Sequence, residues 1–219
     1  MDLEFITEFA PLYIEAGKLT FTIAFIGIIG AIIVGLMTCL LRYFKVPLLD
    51  KVSTIYIELS RNTPLLIQLF FLYFGLPKVG IVLSSEVCGV FGLIFLGGSY
   101  MSEAFRSGFE AVEETQVESG LSIGLKKSQV IRYIIFPQAL TISFPALLAN
   151  IIFLIKETSV FSVIALADLM YVAKDLIGLY YNTDEALFML VVSYAVILLP
   201  ILMVFYFVER KLRYAGFGN

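Results

Sequence analysis

Histidine is absent from this chain of 219 residues, and cysteine occurs only twice. Without histidine, the chain excludes both a histidine-ligated metal site and a serine–histidine relay built from its own residues. Cys39 and Cys88 have no C-x-x-C neighbour, which indicates small packing residues inside apolar segments. A phosphate-binding G-x-x-x-x-G-K-[ST] loop is also missing, so ATP-driven work would need a nucleotide site on a partner.

Charged residues are also scarce. They make up 15% of the chain and apolar residues 60%, against about 25% and about 45–50% in a soluble domain. The composition therefore predicts an integral membrane protein. Ten-residue segments of alternating hydrophobicity, typical of a transmembrane barrel, do not occur, so the spans are predicted to be helices. The acidic start, with Asp2, Glu4 and Glu8, lacks the positive charge of a cleaved signal peptide.

Long charge-free runs predict where the chain crosses the membrane. Three runs are 23 residues long and two are 16 residues long. A hydrocarbon core of about 30 Å needs about 20 apolar residues in a helix. Extended by neighbouring apolar turns, the runs predict five transmembrane helices, at about residues 19–41, 55–77, 87–107, 137–157 and 186–208. The two shorter runs leave open a buried or re-entrant helix. No linker separates the spans, so one all-α integral membrane domain covers residues 1–219.

Basic residues are distributed unevenly between the two sides that five spans define. Eleven of the 15 fall in one set of loops and four in the other. Because basic loops stay in the cytoplasm, the N-terminus is expected outside, and the C-terminus and the loop 108–136 inside. In the external connection 156–185, apolar residues at helical spacing predict an amphipathic helix whose opposite face carries Asp168 and Asp175. That helix either caps the bundle or forms a docking surface.

Residue spacing inside the spans predicts two kinds of contact. Small residues that let another helix approach closely recur every four positions in the first span: Gly27, Ala31 and Gly35. Charged residues three or four apart are expected to pair along one helix face: Glu58 with Arg61, and Glu103 with Arg106 and Glu110. The first pair could instead contact a partner subunit.

The loop after the third predicted span contains a short helix. Val117 to Ile123 has the length of one or two turns, and Gly124 then permits the positive backbone angle that ends a helix. Pro137 suits the first turn of the fourth span, because its missing amide hydrogen would have no partner there. Held between two membrane helices, the short helix is expected to act as a lever that moves both spans.

The same loop resembles the cytoplasmic signature of the membrane permeases of ATP-binding-cassette (ABC) importers. That signature reads E-A-A, three residues, G, nine residues, then I-x-L-P. The chain has Glu118-Ser119-Gly120, Gly124 and, nine residues later, Ile134 to Pro137, so the spacing matches in full. Serine and glycine replace the two alanines, and Phe136 replaces leucine. Because glycine weakens a helix by up to about 1 kcal/mol relative to alanine, Gly120 predicts a looser coupling helix.

Three further segments resemble the polar amino acid branch of that family, which includes histidine, glutamate, glutamine, arginine and opine permeases. Residues Arg61 to Phe71 read R-N-T-P-L-L-I-Q-L-F-F and resemble R-G-T-P-L-L-x-Q-L-F-F. The pattern Y-x-x-E-x-x-R-x-G begins at Tyr100, and K-[DE]-T-S begins at Lys156. The resemblance covers most of the chain from Arg61 to Leu166.

This resemblance implies the permease subunit of a type I ABC importer for polar amino acids, a multi-pass protein of the bacterial inner membrane. Its implied partners are two ATPase subunits, a second permease that is a copy or a sister, an extracytoplasmic solute-binding protein and membrane lipid, but no nucleic acid. The chain would hold no cofactor and catalyse no reaction, because the ATPases bind ATP and Mg²⁺. Closure of the ATPase dimer would push the coupling helix and drive alternating access.

The resemblance also implies which residues meet the ATPase. These implied contacts are Val117, Glu118, Ser119, Gly120, Leu121, Gly124, Lys126 and Lys127. Positive-inside topology accounts equally well for the two lysines. Six of these residues therefore belong to the short helix and its glycine end, and the two lysines have topology as a second explanation.

Polar side chains at membrane depth are expected to line a solute pathway. The candidates are Gln68, Thr141, Ser143 and Asn150. Asn150 could bind the solute or form a hydrogen bond between helices. No acidic residue lies within the fourth span to balance a cationic side chain, which favours glutamine, glutamate or aspartate as the solute.

Two other classes of function remain open from the residues alone. A stand-alone secondary transporter or a channel would be expected to carry ionisable residues at mid-membrane, or broken helices repeated in two halves. An intramembrane enzyme would need a nucleophile with a base, or metal ligands, around one cavity. Neither pattern is evident. Transport without ATP would favour the secondary transporter, and solute-independent hydrolysis of a peptide or lipid would favour the enzyme.

Overall fold

The structure, a computed structural model, describes residues 2–216 and contains no β-strand among them. Nine α-helices follow one another: α1 Leu3–Tyr43, α2 Leu49–Arg61, α3 Leu65–Phe70, α4 Ser85–Glu110, α5 Glu114–Ser122, α6 Lys127–Val130, α7 Phe136–Glu157, α8 Leu169–Tyr180 and α9 Thr183–Gly216. A π turn and a 3-10 turn extend α3 to Val79, a π turn joins α6 to α7, and a 3-10 turn extends α7 to Ile164. The protein is all-α, as its apolar runs predict.

Four helical stretches between residues 2 and 216 are long and apolar enough to cross a membrane: Leu3–Tyr43, Ser85–Glu110, Lys127–Ile164 and Thr183–Lys211. The second predicted span, 55–77, is not one continuous helix. It is divided between α2 and α3 at Asn62–Pro64, where Pro64 is extended (φ −58°, ψ 142°). Proline also disfavours helical backbone at the residue before it, which explains the break at Thr63. Five crossings remain a prediction.

Two helices begin earlier than the sequence predicts. Residues 3–18 belong to α1, which Asp2 caps by accepting from the amides of Glu4 (3.0 Å) and Phe5 (3.2 Å). The fourth predicted span begins at Lys127 instead of Pro137, because α6, the π turn 131–135 and α7 form one continuous helix. Within that turn the amide of Phe136 bonds five residues back to Ile131, so Pro137 lies inside a helix and not at its start.

Helices α1 and α4 lie side by side and run in the same direction. A Cβ on Gly27 would come 2.7 Å from Leu93 Cβ, and one on Gly35 would come 2.4 Å from Met101 Cβ. Ala31 lies against Gly97 in the same seam. The predicted stripe of small residues is therefore confirmed as a packing surface. Helix α4 also packs, antiparallel, against α7, which leaves α5 at one end of the bundle and α8 at the other.

Helix α8 caps the bundle, because its inner face lies against α1 and α9. Leu169, Ala173 and Leu176 are buried in a cluster with Phe5 and Phe9 of α1. The prediction that Asp168 faces away from the core is wrong. Asp168 is fully buried and begins α8, with Oδ1 accepting from the amide of Tyr171 at 2.9 Å. No group in the described residues bonds to its Oδ2.

Burial raises the pKa of Asp168 from 3.8 to about 6, against the opposing effects of helix amides and Lys174. Because the pKa of this carboxyl is higher in the folded state, the neutral carboxyl makes its full contribution to stability below pH 3.8. That contribution is lost as the pH rises through 6. Asp168→Asn keeps a capping oxygen without the charge. At pH 8 it should therefore exceed the wild type in free energy of unfolding by roughly 2 kcal/mol.

The measurement is the melting midpoint of the purified complex at pH 5 and pH 8. The wild type should lose more of its midpoint between these values than Asp168→Asn does. Asp175→Asn, an exposed change on the same helix, serves as the control. Equal pH dependence in wild type and Asp168→Asn would contradict a buried carboxylate at this cap.

Candidate functional site: the α5 loop and the α2–α3 break

Helix α5 ends through the conformation of a single glycine. Gly124 has φ +89°, its amide bonds to Leu121 O at 3.0 Å, and the amide of Leu125 bonds to Gly120 O at 3.1 Å. This pair of bonds is a common way to end a helix, and it requires a left-handed residue that glycine adopts without steric cost. The predicted positive angle at Gly124 is confirmed. The predicted short helix is present, but it begins three residues earlier, at Glu114 instead of Val117.

Helix α5 is held against the helix that leads into α7. A Cβ on Gly120 would come 2.6 Å from Ile134 Cδ1 and 3.2 Å from Val130 Cγ2. Gln138 Nε2 of α7 donates to Gln116 Oε1 of α5 at 2.6 Å. Gly120 therefore allows close packing, and the prediction of a looser helix misses this role. On the other side, α5 connects to α4 through the turn 111–113. These contacts hold α5 against the continuous helix 127–164 that contains α6 and α7.

The eight predicted contact residues do not share one environment. Val117 is half-buried and Gly120 is buried, so both face the bundle. The others are exposed together at this end of the molecule: Glu118, Ser119, Leu121, Gly124, Lys126 and Lys127. Beside them lies a groove of about 470 Å³, lined in part by Gln116, Ile123 and Tyr133. Ile123, 79% exposed, is an additional apolar candidate that the motif spacing did not single out.

Gln68 fills the gap that the α2–α3 break creates. Its side-chain Nε2 donates to Ser60 O (3.2 Å) and Thr63 O (3.0 Å), two carbonyls that the interrupted helix leaves without amide partners. Both acceptors are oxygens, so the amide orientation is fixed by the bonds. Gln68 Oε1 is buried and receives no hydrogen bond from residues 2–216. The first pathway candidate therefore stabilises the break.

The other three pathway candidates lie on α7 and form hydrogen bonds within the bundle. Thr141 Oγ1 donates to Pro137 O (3.0 Å) and Ser143 Oγ to Ala139 O (2.7 Å), each one turn earlier in the same helix. Asn150 Nδ2 donates across to Tyr100 O of α4 at 3.1 Å. The interhelical bond that the sequence left open at Asn150 is present. The structure brings none of these three to Gln68, and their role toward a solute stays a prediction.

A charge cluster joins α1, α2 and α4. Glu103 binds Arg42 through Oε1 and Arg106 through Oε2 at 2.7 Å, and Arg106 also binds Glu110 at 2.6 Å. The predicted pairing along α4 is therefore confirmed. The predicted pair between Glu58 and Arg61 does not form in the part of the chain that is described. Arg61 instead lies 3.9 Å from Glu103 and over the ring of Tyr100.

Between residues 2 and 216, no group of three or more cysteine, aspartate or glutamate residues is placed to hold an ion. A bundle of helices long and apolar enough to cross a membrane defines the class, an integral membrane protein. The chain belongs to the family described as binding-protein-dependent transport system inner membrane component, whose model matches residues 27–214.

Relatives of known name cover most of the chain. A probable amino-acid ABC transporter permease protein, PatM of Vibrio harveyi, is 30% identical over 217 residues, which are 98% of this chain and 97% of that one. A probable glutamine ABC transporter permease protein, GlnP of Bacillus subtilis, is 37% identical over 159 residues, 73% of each chain. The glutamine transport system permease protein GlnP of Escherichia coli is 30% identical over 205 residues, 93% and 94% of the two chains.

Solved structures share the fold. A chain from the crystal structure of an amino acid ABC transporter with histidines superposes with a TM-score of 0.89 at 30% identity, covering 96% of this chain and 99% of that one. A chain of the MetNI methionine ABC transporter, in an inward-facing conformation, gives a TM-score of 0.76 at 16% identity over 94% and 98%. The second likeness concerns the fold alone.

Proposed function

We propose that this chain is the permease subunit of an ATP-driven ABC importer for polar amino acids in the bacterial inner membrane. The observation that carries the proposal is the geometry of α5, a short helix with an exposed outer face that is fastened to α7 by Gly120 and the Gln116–Gln138 bond. Such a helix can receive a push from outside the bundle and pass it to a membrane helix. The ABC permease names of the relatives support the same function.

The partners follow from this function. Two ATPase subunits bind the α5 surface in the cytoplasm and hold ATP and Mg²⁺, and the permease itself hydrolyses nothing. A second permease, either a copy or a sister, completes the pathway. An external solute-binding protein delivers the amino acid, in line with the family description of a binding-protein-dependent system.

The coupling step is a rigid-body movement of α7. Closure of the ATPase dimer displaces α5, and the contacts of Gly120 with Val130 and Ile134 transmit that displacement to the continuous helix from Lys127 to Ile164. Because α7 packs against α4, the two helices tilt together and the bundle alternates between inward-open and outward-open states. The π turn 131–135 lies at the join and is the natural place for the helix to bend.

Glutamine, glutamate and aspartate are the solutes that the chain favours, since α7 between Pro137 and Ile155 carries no acidic side chain. The two GlnP relatives described above are named for glutamine, whereas the structural neighbour is described with histidines. Competition between labelled L-glutamine and unlabelled L-glutamate, L-aspartate and L-histidine in proteoliposomes decides among them. Histidine as the strongest competitor would contradict the preference.

Replacing Gly124 tests the coupling surface directly. Gly124→Arg places a long cation where the backbone is left-handed, at a local cost of about 1–2 kcal/mol. Its Cβ would meet no atom within 4 Å, so the bundle should still fold. The side chain would project from the exposed α5 surface and obstruct the ATPase. We expect the variant to insert normally and to lose at least about tenfold in ATPase recovered by copurification, a change of about 1.4 kcal/mol in binding.

Gly80→Arg is the matched control, because Gly80 is also an exposed left-handed glycine (φ +87°) with open space around its Cβ, and it lies before α4, at the opposite end of that helix from α5. It should copurify with the ATPase as the wild type does. Normal ATPase recovery with Gly124→Arg would contradict the coupling assignment. Amino acid uptake by the wild type without ATP would instead favour a stand-alone secondary transporter.

A further inference from the structure

The charge cluster between α1, α2 and α4 is not neutral. Three arginines meet two glutamates, which leaves one positive charge in excess: Arg42, Arg61 and Arg106 against Glu103 and Glu110. The excess belongs mainly to one side chain. Glu103 Oε2 already accepts from Arg106 Nε at 3.1 Å and Nη2 at 2.7 Å, whereas Arg61 Nη1 stays 3.9 Å away. Arg61 is the least neutralised cation of the cluster.

Arg61 lies well inside the depth of the bundle. Its guanidinium carbon is 5.1 Å from the ring centroid of Tyr100. Tyr100 is 15 residues from the start of α4 and 10 from its end, or about 22 Å and 15 Å along the axis. A cation at such depth is costly unless it is paired or faces water, so one that is incompletely paired indicates a functional site.

The surroundings of Arg61 leave it as the donor available to a ligand. The other polar side chains at the break bond back to their own segment: Asn62 to Glu58 O (2.7 Å), Thr63 to Leu59 O (2.8 Å), and Gln68 to Ser60 O. The Arg61 side chain, by contrast, remains 42% exposed. Discontinuous helices are also where transporters commonly place a solute site.

Aromatic and amide groups continue the site along α4 and α7. The ring of Phe153 lies 5.2 Å from that of Tyr100, and Asn150 donates to the Tyr100 carbonyl. Tyr100 is therefore positioned between the guanidinium of Arg61 and side chains of α7. An aliphatic or amide side chain of a solute would meet this aromatic wall, while its charged end would meet the arginine.

We propose that Arg61 binds the α-carboxylate of the transported amino acid, with the Tyr100 ring as the adjoining wall. This inference rests on the proposed function. A guanidinium matches a carboxylate through two parallel hydrogen bonds, and the carboxylate supplies the negative charge that the cluster lacks. Because every amino acid carries this group, Arg61 recognises the class of solute and not its side chain. A lipid phosphate would have to leave the headgroup layer to reach the same depth.

Direct binding to the purified permease–ATPase complex tests the inference without the solute-binding protein, which would impose its own selectivity. Labelled L-glutamine, L-glutamate and L-histidine are each titrated onto the complex in nanodiscs of zwitterionic lipid. Wild type should bind at least one of them. The same unlabelled amino acid should displace the bound label, and its α-carboxamide derivative should not. Arg61→Gln should weaken this binding at least tenfold and abolish the discrimination between acid and amide, while Arg61→Lys retains part of both.

Lys51→Gln is the control, because it removes one positive charge from the same helix, at an exposed position. It should bind as wild type does. An Arg61→Gln complex that assembles normally and keeps the affinity and the acid preference would overturn the inference, as would binding that is lost only when anionic lipid is added. ATP-driven uptake by the wild type with the binding protein distinguishes a failure of the Arg61 site from a failure of the proposed function. Uptake without any binding to the complex overturns the Arg61 site alone, whereas no uptake overturns the proposed function.

Discussion

Gly108→Ala should prevent the stable packing of α4 against α7, although it adds a single methyl group. The new Cβ would lie 2.0 Å from Ser143 Oγ and 2.3 Å from Ala139 O. The hydroxyl could rotate away, but the carbonyl belongs to the backbone of α7 and cannot move without displacing the helix. Overpacking of a close contact costs about 1–3 kcal/mol, and a backbone obstacle places this change at or above about 3 kcal/mol.

Thermal unfolding of the purified complex and the yield of folded protein measure the effect. Gly178→Ala is the control, because its Cβ meets nothing within 4 Å and alanine favours a helix by about 0.5–1 kcal/mol. Adding Ser143→Ala to Gly108→Ala removes the hydroxyl but leaves Ala139 O in place, so the double variant should remain unstable. Full recovery in the double variant would show that the hydroxyl, and not the α7 backbone, sets the limit.

Glu103→Gln should destabilise the complex by about 3 kcal/mol, the cost of removing one partner from a largely buried ion pair. Only 20% of the Glu103 side chain is exposed, and it is bound by arginines from two different helices. Glutamine keeps the shape but not the charge, so the excess positive charge of the cluster rises from one to two. The ends of α1 and α2 should then separate from α4.

An exposed pair provides the comparison. Glu15→Gln removes the partner of Lys18, and both side chains are about two-thirds or more exposed (72% and 67%). Exposed pairs contribute about 0–1 kcal/mol, so this variant should melt close to the wild type. A double-mutant cycle of Glu103→Gln with Arg42→Gln measures the pair itself, and we expect a coupling above about 1 kcal/mol. Equal melting of Glu103→Gln and Glu15→Gln would rule out a structural role for the cluster.

Local features of this chain were predictable because their causes lie within a few residues. Long uninterrupted apolar runs predict membrane helices from their length alone. The spacing from Glu118 to Pro137 located α5, and Gly124 ended it because only glycine adopts φ +89° without steric cost. The pairs of Arg106 with Glu103 and Glu110 followed from helix geometry alone. The polar residues proposed for the pathway lie in α3 and α7, and their role toward a solute stays a prediction.

Features that depend on a second helix were not predictable. Nothing near Asp168 in the sequence indicates that α1 and α9 will cover it, and a helix-period pattern alone places it on the outer face. The sequence predicts that Gly120 weakens its helix, whereas the structure shows Gly120 packed closely against Ile134. Arg61 is within pairing distance of Glu58 along its own helix, but the break at Pro64 and the approach of α4 turn it to Glu103 and Tyr100.

The sequence by itself determined an all-α membrane protein, the short helix α5 that ends at a glycine, and the family resemblance, since run length, glycine conformation and motif spacing are properties of short segments. The tertiary structure decided how α5 is fastened to α7, where the second apolar segment breaks around Gln68, and which cation lacks a full counter-charge. Each of these depends on which helices lie side by side. The same apolar faces could pack in many ways. Close contacts such as Gly35 with Met101 and Gly108 with Ser143 determine which packing forms.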